Sequence, residues 1–455
     1  MTSQEQIVAK ADKVQAVWWL NPAVALGMPA VAAGVAAYIT ESNDYQYFWP
    51  TPKYFDLSCL ELLLAAVIVF GCGCLFGAAR RSNSGVSRPS TDWKLAVPWR
   101  SVRLIFTISF ILTVLAYIVW FAVGIKNGLN LGLVMDILHR ASDANYDLRK
   151  EYFKTIPGVT TGTQFGLTVI VLGIPLGVAK GWRTVRWQLL SVFLLGLVRA
   201  LLNSERLAVI ELLVPLVVSF IWLRPATGWL LRFLTRFGPV VAAAFLYFFF
   251  AAGEYFRSWS SFYANRESSF WGFIALRLMG YYTTALNNGA LLLTSKQILS
   301  LHMPLATLSS FWRFPILKDV LPVLFPAFDF APSVPDVNYV NLLTTSANPE
   351  FNNPSGIFAP IVDYGVAGGL LYWLLCGLIC GYLYKEFKLR SIAGIFLFPP
   401  LYIGLIEASR VLYWADGRFV PGMFSLIFGV VLVFRNSRRP SNSGAGLRVE
   451  TAPIY

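Results

Sequence analysis

The chain has 455 residues, of which 56% are hydrophobic and 13% charged, with a formal net charge of +13 and a mean hydropathy of +0.59. Soluble domains carry roughly 25% charged residues, so this composition excludes a soluble globular protein. The excess of Lys and Arg does not point to nucleic acid, because it gathers at the ends of apolar runs, where it reports topology.

Crossing roughly 30 Å of hydrocarbon takes about 20 apolar residues. Ten runs approach or meet that length, at 17–39, 57–79, 104–125, 159–179, 186–202, 207–223, 237–253, 357–384, 394–409 and 420–435. The fold class is therefore all-α: a polytopic membrane protein with about ten transmembrane helices and one large extracytoplasmic loop. The first sixteen residues are polar and no small-residue cleavage site follows the first run, so that run is expected to stay as a helix. Residues 1–253 read as an N-terminal bundle of seven spans, and 254–356 as the extracytoplasmic loop with amphipathic, interfacial helices. Residues 357–435 read as three C-terminal spans and 436–455 as a mobile cytoplasmic tail.

Basic residues occupy alternate connections. One set holds Lys10, Lys13, Arg80, Arg81, Arg88, Lys94, Arg100 and Arg103, then Lys180, Arg183 and Arg186, then Arg224, Arg232 and Arg236. Lys385, Lys388, Arg390, Arg435, Arg438, Arg439 and Arg448 continue it. The positive-inside rule puts this set, and both termini, in the cytoplasm and the large loop outside. Residues 270–295 are nearly apolar enough to cross, but Arg277, Asn287 and Asn288 are costly in lipid. A crossing there would also turn Lys385, Lys388 and Arg390 outward. The segment reads as one or two helices lying on the outer surface or dipping partway in. Pro315, Pro322, Pro326 and Pro332 rule out a continuous helix over 314–332, which reads as an interfacial wrap. The five cysteines lie in or beside apolar runs, which predicts neither a disulfide framework nor a zinc site.

Three constellations carry chemistry. The turn between the fifth and sixth runs holds Arg199, Arg206 and, one turn deeper, Glu211. An acid inside an apolar run needs a partner or a cavity: either Arg206 and Arg199 hold an anionic headgroup, or they snorkel while Glu211 clamps one of them. The second is Arg277, Tyr281, Tyr282 and Asn287, with Arg277 and Tyr281 on one helix face. A guanidinium fork beside flat rings suits an oxyanion next to a sugar, although an aromatic belt at headgroup level gives the same pattern. The third is the Asn353-to-Gly369 entry into the eighth run, where packing explains the glycines but not Asp363. The last outward turn adds Glu407, Arg410, Tyr413, Trp414, Asp416 and Arg418. No Walker loop, nucleophile elbow or dinucleotide fingerprint occurs, and neither His139 nor His302 has ligand spacing. No cofactor is expected.

Several stretches resemble the Wzy-type polymerases of bacterial O-antigen and exopolysaccharide repeat units. Asn21-Pro22 opens the first run as in that family, and Thr155 to Gln164 is similar to its outer-loop motif. Ser204-Glu205-Arg206 resembles its Ser-x-Arg turn, and Asp363-Tyr364-Gly365 with Gly368, Gly377 and Gly381 resembles its late helix. The resemblance runs over most of the chain and rests on motif order. It implies a membrane-embedded glycosyltransferase of the GT-C type in the bacterial inner membrane, acting without metal on undecaprenyl-diphosphate-linked oligosaccharide at the outer face. Its partners would be the lipid bilayer and a chain-length regulator and flippase of the same pathway. A ligase using the same donor and a lipid-linked-oligosaccharide flippase are the alternatives.

On this reading Arg206 and Arg277 grip the diphosphate, assisted by Arg199, Arg257 or Arg410. Tyr281, Tyr282, Asn287, Trp259 and Trp271 line the sugar path. The general base stays open among Glu267, His302, Asp336 and Asp363.

Overall fold

The computed structural model describes residues 17–80, 97–130, 158–202, 207–223, 228–255, 269–295, 306–312 and 334–437, with a few isolated positions between them. Among the described residues there is no strand. The chain runs α1 (Pro22–Ile39), α2 (Ser42–Phe48), α3 (Leu57–Ala79), α4 (Trp99–Lys126), α5 (Phe165–Lys180), α6 (Arg186–Leu202), α7 (Leu207–Leu223) and α8 (Trp229–Glu254). It continues with α9 (Phe270–Thr294), α10 (Val334–Ser346), α11 (Ala359–Lys388), α12 (Ile392–Glu407) and α13 (Phe419–Ser437). Each of the ten apolar runs is a helix.

Local chemistry sets several of the starts. The Asn21 side chain accepts from Ala23 N–H at 3.1 Å, with Pro22 in the first turn of α1. Asp56 accepts from Cys59 N–H at 2.9 Å to open α3, and Ser391 accepts from Gly394 N–H at 3.1 Å to open α12. Each cap satisfies a donor the helix leaves orphaned.

Among the described residues, six stretches are long and apolar enough to cross a membrane: Pro22–Ile39, Leu57–Ala79, Trp99–Lys126, Val159–Lys180, Arg232–Glu254 and Ala359–Lys388. Leu207–Leu223, Ile392–Glu407 and Phe419–Arg435 are shorter apolar helices. The outward faces of α3 and α4 present Ile68, Leu75, Phe76, Ile108 and Ile118 in the open. In water such contiguous apolar surface would drive association; in hydrocarbon it is the proper exterior of a helical membrane protein.

The helices alternate in direction. At one end Trp18 and Trp19 donate to Arg236 O and Thr235 O, Tyr402 donates to Trp19 O, and Trp222 donates to Phe387 O at 2.8 Å. Arg80, Lys180, Arg186, Arg232, Lys385 and Lys388 lie at or near helix termini at this end. The opposite end gathers the close of α1, the start of α3, the close of α8, the start of α11 and the close of α12. There Lys53 donates to Tyr38 O and Thr40 O, and Ser355 N–H to Arg410 O.

Helices α3 and α11 meet backbone to backbone. Gly73 and Gly77 face Leu374 O and Leu378 O, while Gly377 and Gly381 face Phe70 O and Cys74 O, so that a Cβ at any of the four would collide with main chain. Small residues at such a seam let two helices approach closely enough for continuous van der Waals contact.

Helix α9 resolves the open reading of 270–295. It is one continuous helix, opened by Ser269, which accepts from Gly272 N–H. Its contacts fall at the end opposite the basic termini. Trp49 donates to Leu276 O at 3.1 Å, and its indole fills the space at Gly280. Phe273 and Ile274 pack on Phe250 and Ala251, near the close of α8, and Gly289 receives Phe358. The expected wrap over 314–332 lies outside the described residues apart from isolated positions.

Candidate functional site

Two buried groups of charges sit at this end of the bundle. The first is centred on Arg277. Its Nε lies 2.7 Å from Glu254 Oε2, its Nη2 pairs with Glu350 Oε1, and its guanidinium carbon lies 5.6 Å from the rings of both Phe273 and Phe351. Glu254 is completely buried. This arginine is therefore matched on two sides by carboxylates, with rings on its faces.

The neighbouring amides tighten the same region. Asn287 Oδ1 accepts from Tyr54 N–H and Phe55 N–H, at 2.6 and 3.0 Å, and its Nδ2 donates to Pro52 O at 2.8 Å. Asn288 donates to Phe351 O and Asn353 O. Asn287 thus staples the segment between α1 and α3 onto α9. Trp259 stacks edge-on against Phe270, and Trp271 lies beside Tyr247 on the outer flank of α8 and α9, half exposed.

Asp363 serves a comparable purpose. Its Oδ2 accepts from Thr307 N–H and from the Thr307 hydroxyl, both at 2.7 Å, and its Oδ1 accepts from Ala306 N–H at 3.2 Å. The Tyr364 hydroxyl adds a 2.8 Å bond to Thr307. Gly365 follows with φ of 72°, breaking α11 there, a backbone state open to glycine without a steric penalty. The break aims Asp363 and Tyr364 sideways at the 306–307 turn.

The second group lies where α4, α5, α6 and α7 meet the turn between α12 and α13. A small cavity of about 10 Å³, room for about one water, lies here, and Tyr117, Thr163, Gln164, Arg199, Glu211, Tyr413 and Arg418 line it. Arg199 donates to Thr163 Oγ1 at 2.9 Å. Arg418 Nη1 stands 3.6 Å from Glu211 Oε1, too far for a good hydrogen bond. Beside them Arg410 Nε is 2.9 Å from Glu407 Oε2, with Tyr282 buried next to both. Burial alone would lower the Arg410 pKa, but Glu407, helped by Tyr282, Tyr281 and Glu211, outweighs it and raises it, so the group stays cationic. Burial, then Glu211 and Asp416, pushes the Tyr413 phenol well above its ordinary range and keeps it a proton donor.

The bonding in this second group is incomplete. Glu407 Oε2 and Arg410 Nε are taken up with each other, while Glu211 Oε1 and the Tyr413 hydroxyl, both buried, make no hydrogen bond of ordinary geometry among the described residues. Buried polar atoms are satisfied in the great majority of cases. Of these atoms, Glu211 Oε1 and the Tyr413 hydroxyl border the cavity.

The structure brings Arg199, Arg410, Tyr281 and Tyr282 into one polar seam. It adds Tyr117, which sequence reasoning passed over, Thr163 and Gln164, named there only within the outer-loop motif, and Arg418, named only within the last outward turn. Arg277 ends the seam in its own ion cluster, and Asp363, Asn287, Trp259 and Trp271 lie apart from the cavity lining. Arg206, Arg257, Glu267 and His302 lie outside the described residues, as does the side chain of Asp336.

No family model, curated protein or solved structure matches the chain.

Proposed function

We propose that this protein is a membrane glycosyltransferase that polymerises lipid-diphosphate-linked oligosaccharide repeat units at the outer face of the bacterial inner membrane. In this reading ten helices cross the bilayer, both termini are cytoplasmic, and α9 caps the outer ends. The alternation of helix direction supports that arrangement, as does the separation of the basic helix termini from the acidic and aromatic end. The undecaprenyl carrier follows from the resemblance of the sequence motifs.

The observation that carries the proposal is the small cavity lined by Arg199, Arg418, Glu211, Gln164 and two tyrosines, at the end of the bundle that this reading turns outward. Departure of a lipid diphosphate develops negative charge, which preorganised guanidinium groups in a water-poor site stabilise strongly. Guanidinium forks match phosphate oxygens in pairs. Attack by an acceptor sugar hydroxyl requires a base within reach. Both kinds of group line this one cavity. Arg206 is in the connection between α6 and α7, adjacent in sequence to two cavity-lining helices.

The test is conversion of a purified, fluorescently labelled lipid-linked repeat by the purified protein in lipid nanodiscs. The expected result is a ladder of glycan lengths on a gel. Unchanged single repeat would refute the assignment, and transfer to a different acceptor without a ladder would make the protein a ligase.

A further inference from the structure

We propose, resting on the glycosyl-transfer reading above, that Glu211 is the general base for the acceptor hydroxyl. We infer further that Arg199 and Arg418 hold it in check until an anionic phosphate group draws those arginines away. Among the described carboxylates near this end, most are engaged. Glu254 and Glu350 close on Arg277, and Asp363 accepts three hydrogen bonds from residues 306 and 307. Glu407 lies 2.9 Å from Arg410, and Asp416 accepts from Arg418 N–H at 2.9 Å. Glu211 differs on two counts: it lines the cavity, and its ion pair is stretched to 3.6 Å.

An acid on an apolar helix is expensive unless it is matched or used. A loose match facing a cavity favours use. The groups facing Glu211 are Arg199 from α6, Tyr117 from α4, Glu407 from α12, and Tyr413, Asp416 and Arg418 from the following turn, with Arg410 behind them. Positive and negative groups nearly balance here, so an incoming diphosphate competes with the resident carboxylates for the same guanidinium forks. When it wins, Glu211 loses its counter-ions and gains an anionic neighbour. With the arginines drawn onto the phosphate, a Glu211 oxygen is left open to the acceptor hydroxyl, so donor binding itself uncovers the base.

The step balances without a further reactant. The hydroxyl proton passes to the Glu211 carboxylate as the acceptor oxygen bonds to the anomeric carbon of the donor. The bond from that carbon to the phosphate oxygen breaks, and its electron pair leaves with the lipid diphosphate, held by Arg199 and Arg418.

The experiment compares wild type, Glu211→Gln and Glu211→Asp in nanodiscs, with two readouts: turnover of the lipid-linked repeat, and binding of undecaprenyl diphosphate as the probe. Glu211→Gln is expected to lose about 100-fold or more in turnover while binding the probe as tightly as wild type or more tightly, since a competitor has gone. Glu211→Asp should retain intermediate turnover with the acid limb of its pH–rate profile displaced. Turnover of Glu211→Gln within about threefold of wild type, well short of what loss of a general base costs, overturns the assignment. So does a loss of probe binding equal to the loss of turnover, the sign of a merely structural carboxylate. If Glu211→Gln fails to fold, an undisplaced acid limb in Glu211→Asp overturns it. A wild-type protein that makes no ladder sinks the glycosyl-transfer reading as well, whereas a ladder from both wild type and Glu211→Gln sinks only the base.

Discussion

Around Arg277 the polar contacts are short and the faces are covered: Glu254 at 2.7 Å, Glu350 beside it, and the rings of Phe273 and Phe351 on the guanidinium. Around Glu211 the arrangement is slack, with Arg418 at 3.6 Å, a small cavity alongside, and the Tyr413 hydroxyl without a hydrogen bond of ordinary geometry among the described residues. Both groups combine arginine, carboxylate and tyrosine at the same end of the bundle. Residue type and burial therefore do not separate a clamp from a site. The pairing geometry does, because a guanidinium closed on two carboxylates offers a ligand nothing without first giving up a partner.

The sharpest way to break this comparison is Arg277→Met. It strands a fully buried Glu254, and removing one partner of a buried ion pair costs about 3–5 kcal/mol. The expected outcome is a large fall in melting temperature in detergent, or no folded protein. Near-wild-type melting would mean that Arg277 is not a clamp. Asn287→Ala comes next: it frees three backbone groups and should cost on the order of 3 kcal/mol, read by the same melt, with turnover per folded molecule unchanged. Arg418→Lys acts on the slack side. Stability should change by less than about 1 kcal/mol, while loss of the planar fork should raise the donor KM roughly tenfold, the worth of about 1.4 kcal/mol. Trp271→Ala should do least, within about 0.5 kcal/mol of wild-type stability and without effect on turnover. A tenfold loss of turnover there would instead put the sugar path over the outer flank of α9.

The helices were largely legible because their signals are local. Run length marks each apolar segment, and Asn21-Pro22, Asp56 and Ser391 mark three starts by capping chemistry. The lone helix of 270–295 was legible as far as its cost in lipid, through Arg277, Asn287 and Asn288. Its unity was not, because tertiary contacts with Trp49 and Phe358 bury it. The chemistry of the site was only half legible. Arg277 and Tyr281 stand out by spacing, but the carboxylates that occupy Arg277 are 23 and 73 residues away in the chain. Glu211 stands out as an acid in an apolar run, and the Glu407-to-Arg418 turn as a polar one. Nothing local says that closing the bundle sets them face to face.

The glycine seam between α3 and α11 has a consequence for kinship. A methyl group at Gly73, Gly77, Gly377 or Gly381 would drive into a main-chain carbonyl, and main chain, unlike a flexible side chain, has nowhere to retreat. These four positions, paired four apart on each helix, are barred from drifting while the surrounding apolar residues exchange freely for one another. A remote cousin whose loops and charges had all been rewritten would still carry that fourfold signature.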